Sequence, residues 1–434
     1  MRIESIKLKN FRCFENLEIA FHPQLTVIVG KNASGKSTVL EAAAIAAGSF
    51  SCFYNSSNYG IKRTDAHLIT NQLGSMIDNQ QLFPVSISAS AIIDEKRVTW
   101  TRQLSESRSS EKPTNGLAKE LLEVTQAYRN RMAHGDTELI LPMIAYYDTG
   151  RLWKQPAKKS ETTATLFSRT NGYIDSLGGA VDNKLLMTWF MQMSMKKLQN
   201  LESTPEYDAV CDAIRKCVRL LMNTKDTVDV AYTYDIQDIC IYYQESNHTI
   251  KMPLSRMSDG YKCTIHLIAD IAYRMAQLNP QLRENVLDAP GVVIIDEIDL
   301  HLHPEWQKRI LGDLTSIFPH IQFIVSTHAS SVISSVKSEN LIILEDNSAS
   351  APVGEVYGKD SNTIHSGVMG STERPDPVKA LFSDFYDALD NDDINKAQSI
   401  INKIEKLIGT IDPELSTCRT KLTLAELKAE IKND

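Results

Sequence analysis

Apolar residues along this chain fall into two patterns. Short runs that are apolar almost throughout, Val27-Ile28-Val29, Gly291 to Ile295 and Ile321 to Val325, each stop at small or charged residues. Gly291 to Ile295 is dominated by β-branched residues and predicts a parallel strand buried on both faces; the other two runs predict strands as well. Longer segments carry apolar residues at helical spacing: Ser37 to Ala47, Lys184 to Leu201, Tyr207 to Asn223, Tyr261 to Leu278 and Pro304 to Phe318. Further strands are expected near 3–9, 17–20, 25–29, 85–93 and 96–102, and at Leu139 to Ala145. Phe50 to Gln81, rich in Ser, Asn and Tyr, reads as irregular, and Ser105 to Asn115 and Glu345 to Pro352 read as loops. Beyond Arg374-Pro375 the spacing predicts amphipathic helices at Pro377 to Leu389, Ile394 to Ile408 and Pro413 to Ile431, two of them opening on proline.

Strands that alternate with helices in this way give an α/β fold class. Shifts in pattern divide the chain into a first lobe (1–150), a helical insertion (151–250), a second lobe (251–345) and a mostly helical tail (346–434). Lys184 to Leu201 is methionine-rich and apolar nearly all round, which reads as a buried core helix. No sustained heptad run is present, so a long coiled-coil arm is excluded. The tail helices bury little alone and are expected to pack on a neighbouring subunit or a partner.

Candidate chemistry sits where the apolar runs stop. Gly30-Lys31-Asn32-Ala33-Ser34-Gly35-Lys36-Ser37-Thr38 lies between a strand and a helix, the context a phosphate loop requires. Gly30 and Gly35 let backbone N–H groups turn inward, Lys36 would bridge the β- and γ-phosphates, and Ser37 would ligate Mg²⁺; Asn32 and Thr38 belong to the same loop. Asp296 and Glu297 follow the Gly291 to Ile295 strand. Asp296 would hold Mg²⁺ directly or through water, and Glu297 would orient or deprotonate an attacking water. His328, in Ser326-Thr327-His328, would sense a γ-phosphate. His301-Leu302-His303-Pro304 has the look of a metal pair but reads as structural, because Pro304 suits the first turn of the following helix. Ser258-Asp259-Gly260 precedes the helix Tyr261 to Leu278 and reads as an N-terminal turn able to hold an anion.

Together these segments resemble the ABC-type ATPase heads of the SMC, RecF and overcoming-lysogenization-defect group. The resemblance covers residues 1 to about 345 and implies a P-loop sheet with an inserted helical lobe, binding ATP and Mg²⁺. It also implies head-to-tail pairing, in which Ser258 and Gly260 of one subunit meet the γ-phosphate held at Lys36 of the other, and Asp299 lies in the loop that crosses between them. Asn10-Phe11-Arg12-Cys13-Phe14 is similar to the group's first strand and turn, which places Arg12 near the nucleotide. The group's Gln that joins the lobes and touches Mg²⁺ has no clear counterpart. Leu139 to Ala145 leads instead into Tyr146-Tyr147-Asp148-Thr149-Gly150-Arg151-Leu152-Trp153, which leaves the rate of hydrolysis open. From Tyr357-Gly358-Lys359-Asp360 to the last helix, the tail resembles the PtuA family of Septu antiphage systems and its retron-associated relatives. That implies a regulatory ATPase working with a separate HNH-type, PtuB-like nuclease, with nucleic acid met through the complex. The alternative is a RecF-like DNA-binding clamp in repair.

The net charge of −8 opposes general adhesion to nucleic acid, so DNA contact would need a local patch. Arg2, Lys7, Lys9 and Arg12 form one candidate; Lys154, Lys158, Lys159 and Arg169 form another. Seven cysteines without a Cys-x-x-Cys pair fit a reducing compartment and no zinc site. No apolar run reaches membrane-spanning length and the chain opens on a strand carrying Arg2, Glu4 and Lys7, so a cytoplasmic protein without a membrane partner is expected. A transporter subunit would leave the first lobe and the tail unexplained. The acidic run Asp390-Asn391-Asp392-Asp393 reads as a helix cap, so no nuclease centre is expected in this chain.

Overall fold

A computed structural model describes residues 1–51, 54, 59–73, 76–106, 118–151, 168–200, 204–245, 248–370 and 374–433. The expected loop Ser105 to Asn115 and the basic residues Lys154, Lys158 and Lys159 lie largely or wholly outside them. The elements run in order β1 (Arg2–Phe11), β2 (Phe14–Ala20), β3 (Leu25–Gly30), α1 (Lys36–Ser51), β4 (Leu68–Leu73), β5 (Met76–Gln81), β6 (Val85–Ile93), β7 (Lys96–Leu104), α2 (Lys119–Ala133) and β8 (Met143–Tyr147). There follow α3 (Asn183–Asn200), α4 (Pro205–Met222), β9 (Val228–Thr233), β10 (Asp238–Glu245), β11 (His248–Pro253), α5 (Asp259–Leu278), β12 (Gly291–Ile295), α6 (Pro304–Gln307), α7 (Ile310–Ile317) and β13 (Ile321–Ser326). The chain closes with α8 (Ser330–Ile333), β14 (Leu341–Glu345), β15 (Ser348–Ser350), α9 (Ser361–Gly367), α10 (Asp376–Asp390), α11 (Ile394–Ile408) and α12 (Pro413–Asn433).

The apolar runs assemble one sheet, in the order β15-β14-β3-β13-β12-β8, parallel except for the β14–β15 hairpin at its edge. β3, β8, β12 and β13 are buried along their whole length, which is why they read as unbroken apolar segments. An antiparallel sheet, β2-β1-β6-β7, stands beside it. α1 packs against strands of both sheets, and its residues from Val39 to Ser51 are buried except Glu41. Gln322, almost fully buried on β13, stitches the sheets together: its side chain accepts from Ile3 N and donates to Ile3 O, each at 2.8 Å.

Several expectations need correction. Leu68 to Gln81 is not irregular but forms the β4–β5 hairpin; Leu68, Ile69 and Ile77 are exposed, so no buried face imposed an alternating pattern. Residues 228–253 form a three-stranded sheet, β11-β10-β9, within what was read as a helical insertion. The expected loop after Leu344 contains β15. Pro304 to Phe318 is broken into α6 and α7 where Arg309, at the break, donates to the carbonyl of Leu220 at 2.7 Å. The chain forms two compact units, Met1–Ile364 and His365–Asp434. In the second, α10, α11 and α12 bury Phe382, Phe385, Ile401, Ile404, Leu415 and Cys418 against one another. These helices therefore own a core, contrary to the expectation that they bury little alone.

Candidate nucleotide site

β3 delivers Gly30 to the C-terminal edge of the parallel sheet, the edge where open α/β sheets bind ligands. The loop must be glycine there: a Cβ on Gly30 would overlap the carbonyl oxygen of Leu344, and one on Gly35, at φ +93°, would overlap the ring of Phe14. Lys36 starts α1, is nearly buried, and donates from Nζ to the carbonyls of Gly30 at 3.0 Å and Lys31 at 2.9 Å. Burial lowers its pKa, with Asp296 and Glu297 pulling the other way. Ser34 Oγ is buried and has no hydrogen-bond partner among the described residues. A loop with an orphaned hydroxyl and a lysine parked on its own carbonyls fits a phosphate group.

β12 brings Asp296 and Glu297 to the same edge. Ser326, at the end of neighbouring β13 and fully buried, joins the two: its hydroxyl donates to Asp296 Oδ1 and accepts the backbone N–H of Glu297 at 2.8 Å. Glu297 is turned away from the strand by a left-handed backbone, φ +47°. Asp299 is fixed by the Thr327 hydroxyl at 2.6 Å. His328 is half-buried; burial and the charge of Lys36 lower its pKa, against the pull of Glu297, Asp299 and Asp296. Arg12, also at positive φ, is clamped by Asp65 at 2.9 Å and Glu41 at 2.6 Å.

These segments enclose a cavity of about 450 Å³ lined by Arg12, Asn32, Gly35, Lys36, Ser37, Thr38, Asp296, Glu297 and His328, with Cys13 and Ala33. Its lining supplies a cation, hydroxyls and acids at one point, the donor set of a magnesium nucleotide. Of the other predicted site residues, Gly30, Asp299, Ser258 and Gly260 do not line it.

A family profile described as an AAA domain matches residues 5–219. The chain is 25% identical over 427 residues to the retron Vc95 probable ATPase of Vibrio cholerae serotype O1 biovar El Tor, covering 86% of this chain and 80% of that protein. It is 26% identical over 438 residues to the retron Ec83 probable ATPase of Escherichia coli, covering 86% and 77%. Over 212 residues it is 30% identical to the Septu protein PtuA of Bacillus mycoides, covering 45% of this chain and 28% of that protein. The chain carries an AAA domain over residues 5–219 and is similar to probable ATPases over most of its length.

In this chain Ser258 is exposed, occupies the N-cap position of α5 and makes no side-chain capping bond, which leaves the N-terminal turn open. A Cβ on Gly260 would meet the His301 carbonyl at 2.6 Å, so glycine lets this turn pack against the segment after Asp299. His303 caps α6, accepting from Glu305 N at 3.4 Å, as the structural reading of that pair expects. Arg169 is spent on the carbonyls of Leu278 and Leu139, each at 2.7 Å, which removes it from a DNA-facing patch. Among the described residues no helix is long and apolar enough to cross a membrane. Sequence reasoning missed Arg151, Glu41 and Asp65, and it gave Ser326 no role. None of the four carried a local signal, since each acts through a partner at least 29 residues away.

Proposed function

We propose that the chain binds and hydrolyses ATP, closing head-to-tail with a second copy, as the regulatory subunit of an antiphage defence complex. The observation that carries the reading is the cavity, which gathers four distant segments while the Ser258 turn stands exposed outside its lining. Lys36 and the loop amides hold the phosphates, and His328, neutral at physiological pH, donates one N–H toward the γ-phosphate. Mg²⁺, held by Ser37 and Asp296, would neutralise charge on the phosphates. Glu297 orients or deprotonates the attacking water. Arg12, fixed by Glu41 and Asp65, supplies a cavity-wall guanidinium beside the nucleotide. Ser258 and Gly260 of the second copy complete the γ-phosphate shell, with Asp299 in the crossing segment.

Two retron ATPases similar over most of the chain, and PtuA over less, support the defence role. A separate HNH-type nuclease is the regulated partner, and nucleic acid is met through that complex. The α10–α12 unit, folded around its own core, suits the docking of such a partner. The test is to purify the tagged chain from its native operon and assay what accompanies it for DNA cleavage with and without ATP. A co-purifying nuclease whose activity follows ATP is expected. Isolation of the chain alone, binding duplex DNA in an ATP-dependent way, would replace this reading with a repair clamp.

A further inference from the structure

Arg151 lies in the stretch that follows β8, where the related ATPase heads would carry their Gln, and its side chain is only 2% exposed. Its Nη1 donates to the carbonyl of Asp296 at 2.8 Å and its Nη2 to the carbonyl of Glu297 at 2.9 Å. Nη1 also reaches the Asp148 carbonyl at 3.3 Å, and Nε points at Cys263 Sγ at 3.3 Å. Among the described residues no carboxylate pairs with it. Burying a guanidinium on carbonyls and a sulfur alone is costly, by roughly several kcal/mol. The arrangement is held because its own loop is fixed: Arg151 N donates to Asp148 O at 3.2 Å, and Asp148 Oδ1 accepts from Gly150 N at 2.7 Å.

The two carbonyls it grips belong to consecutive residues, and the second is Glu297, which lines the cavity and holds a left-handed backbone at φ +47°. A left-handed conformation at a non-glycine residue costs about 1–3 kcal/mol and persists only where neighbours impose it. A planar fork holds the two adjacent carbonyls from two separate nitrogens fixed in one plane, whereas a lysine would have to reach both from a single Nζ on a more flexible stem. The remaining contact, Cys263, sits in α5 five residues after Ser258 and next to Lys262, whose N–H donates to the Ser258 carbonyl at 2.9 Å. One side chain thus touches both the turn that carries the catalytic acid and the helix that presents Ser258.

We infer that Arg151 is a positioning residue that sets the Glu297 turn and ties it to α5, so that a second copy engaging Ser258 is felt at Glu297. The inference rests on the hydrolytic reading given above. Its test uses the full chain: Mg·ATP turnover of wild type, Arg151→Lys and Cys263→Ala, with KM, kcat and the thermal midpoint measured for each. Arg151→Lys is expected to keep KM within about twofold while kcat falls at least about tenfold, because a slightly misplaced base loses rate without losing substrate binding. Cys263→Ala keeps both carbonyl bonds and is expected to lose kcat severalfold at unchanged KM. A merely structural arginine would shift the midpoint and leave kcat per folded molecule alone; that result would overturn the inference. If Arg151→Lys does not fold, Cys263→Ala decides, and wild-type kcat in it would overturn the inference. Absence of turnover in the wild type would instead defeat the hydrolytic reading itself.

Discussion

Ser326→Ala removes one buried oxygen that serves both acids of the site. Ser326 Oγ accepts the Glu297 N–H and donates to Asp296, and the residue is fully buried, so water cannot take its place without rearrangement. A neutral hydrogen bond is worth about 0.5–1.5 kcal/mol and one to a charged group about 1.5–3 kcal/mol, which together give an expected loss of about 2–4.5 kcal/mol. All four tryptophans, Trp100, Trp153, Trp189 and Trp306, belong to the Met1–Ile364 unit, so urea unfolding followed by tryptophan fluorescence reports on that unit alone. Turnover should fall in parallel, because Glu297 loses the bond that anchors its backbone. Repeating the substitution in Asp296→Asn should recover about 1 kcal/mol or more of coupling, since the charged acceptor is then gone. A loss below about 0.5 kcal/mol with unchanged turnover would refute the bridging role assigned to this hydroxyl.

Asp270→Asn should destabilise the same unit by about 3–5 kcal/mol in the same urea assay, because it leaves the buried Arg274 guanidinium, 2.7 Å from Asp270, without its counter-charge; a change under about 1 kcal/mol would contradict that. His266 and His328 both have pKa values lowered from 6.5, first by burial, so the unfolded chain takes up protons that the folded chain refuses. Their stability contribution is complete above pH 6.5 and is lost as pH falls below it through the depressed folded values. His266→Leu should flatten that slope in urea midpoints measured from pH 7.5 to about 5, and an unaltered slope would contradict it. The His365–Asp434 unit, expressed alone, should fold with the helical circular dichroism of α10–α12, since its core is its own; a random-coil spectrum would contradict that.

The parallel sheet and the phosphate loop were legible because fully buried strands leave continuous apolar runs and because glycine, lysine and paired acids terminate them. The β4–β5 hairpin left no such trace, its apolar side chains being exposed, and β9–β11 are too short for their alternation to outweigh the helices before them. At the break between α6 and α7 Arg309 reaches Leu220, 89 residues away, and the grip of Arg151 on Asp296 spans 145. Pairings of that kind are made by the fold, so no local pattern encodes them. Ser258 is a different case. Its motif was readable, while its separation from the cavity required the structure.

If the Lys36 cavity is completed by Ser258 of another copy, two variants that are inactive alone should restore one another when mixed. Lys36→Ala and Ser258→Arg should each abolish ATP turnover alone. In a head-to-tail dimer of the two, one site carries both defects and the other carries neither, so an equal mixture should regain about a quarter of wild-type turnover. A mixture that demonstrably exchanges subunits yet stays as inactive as either variant alone would contradict a site shared between copies.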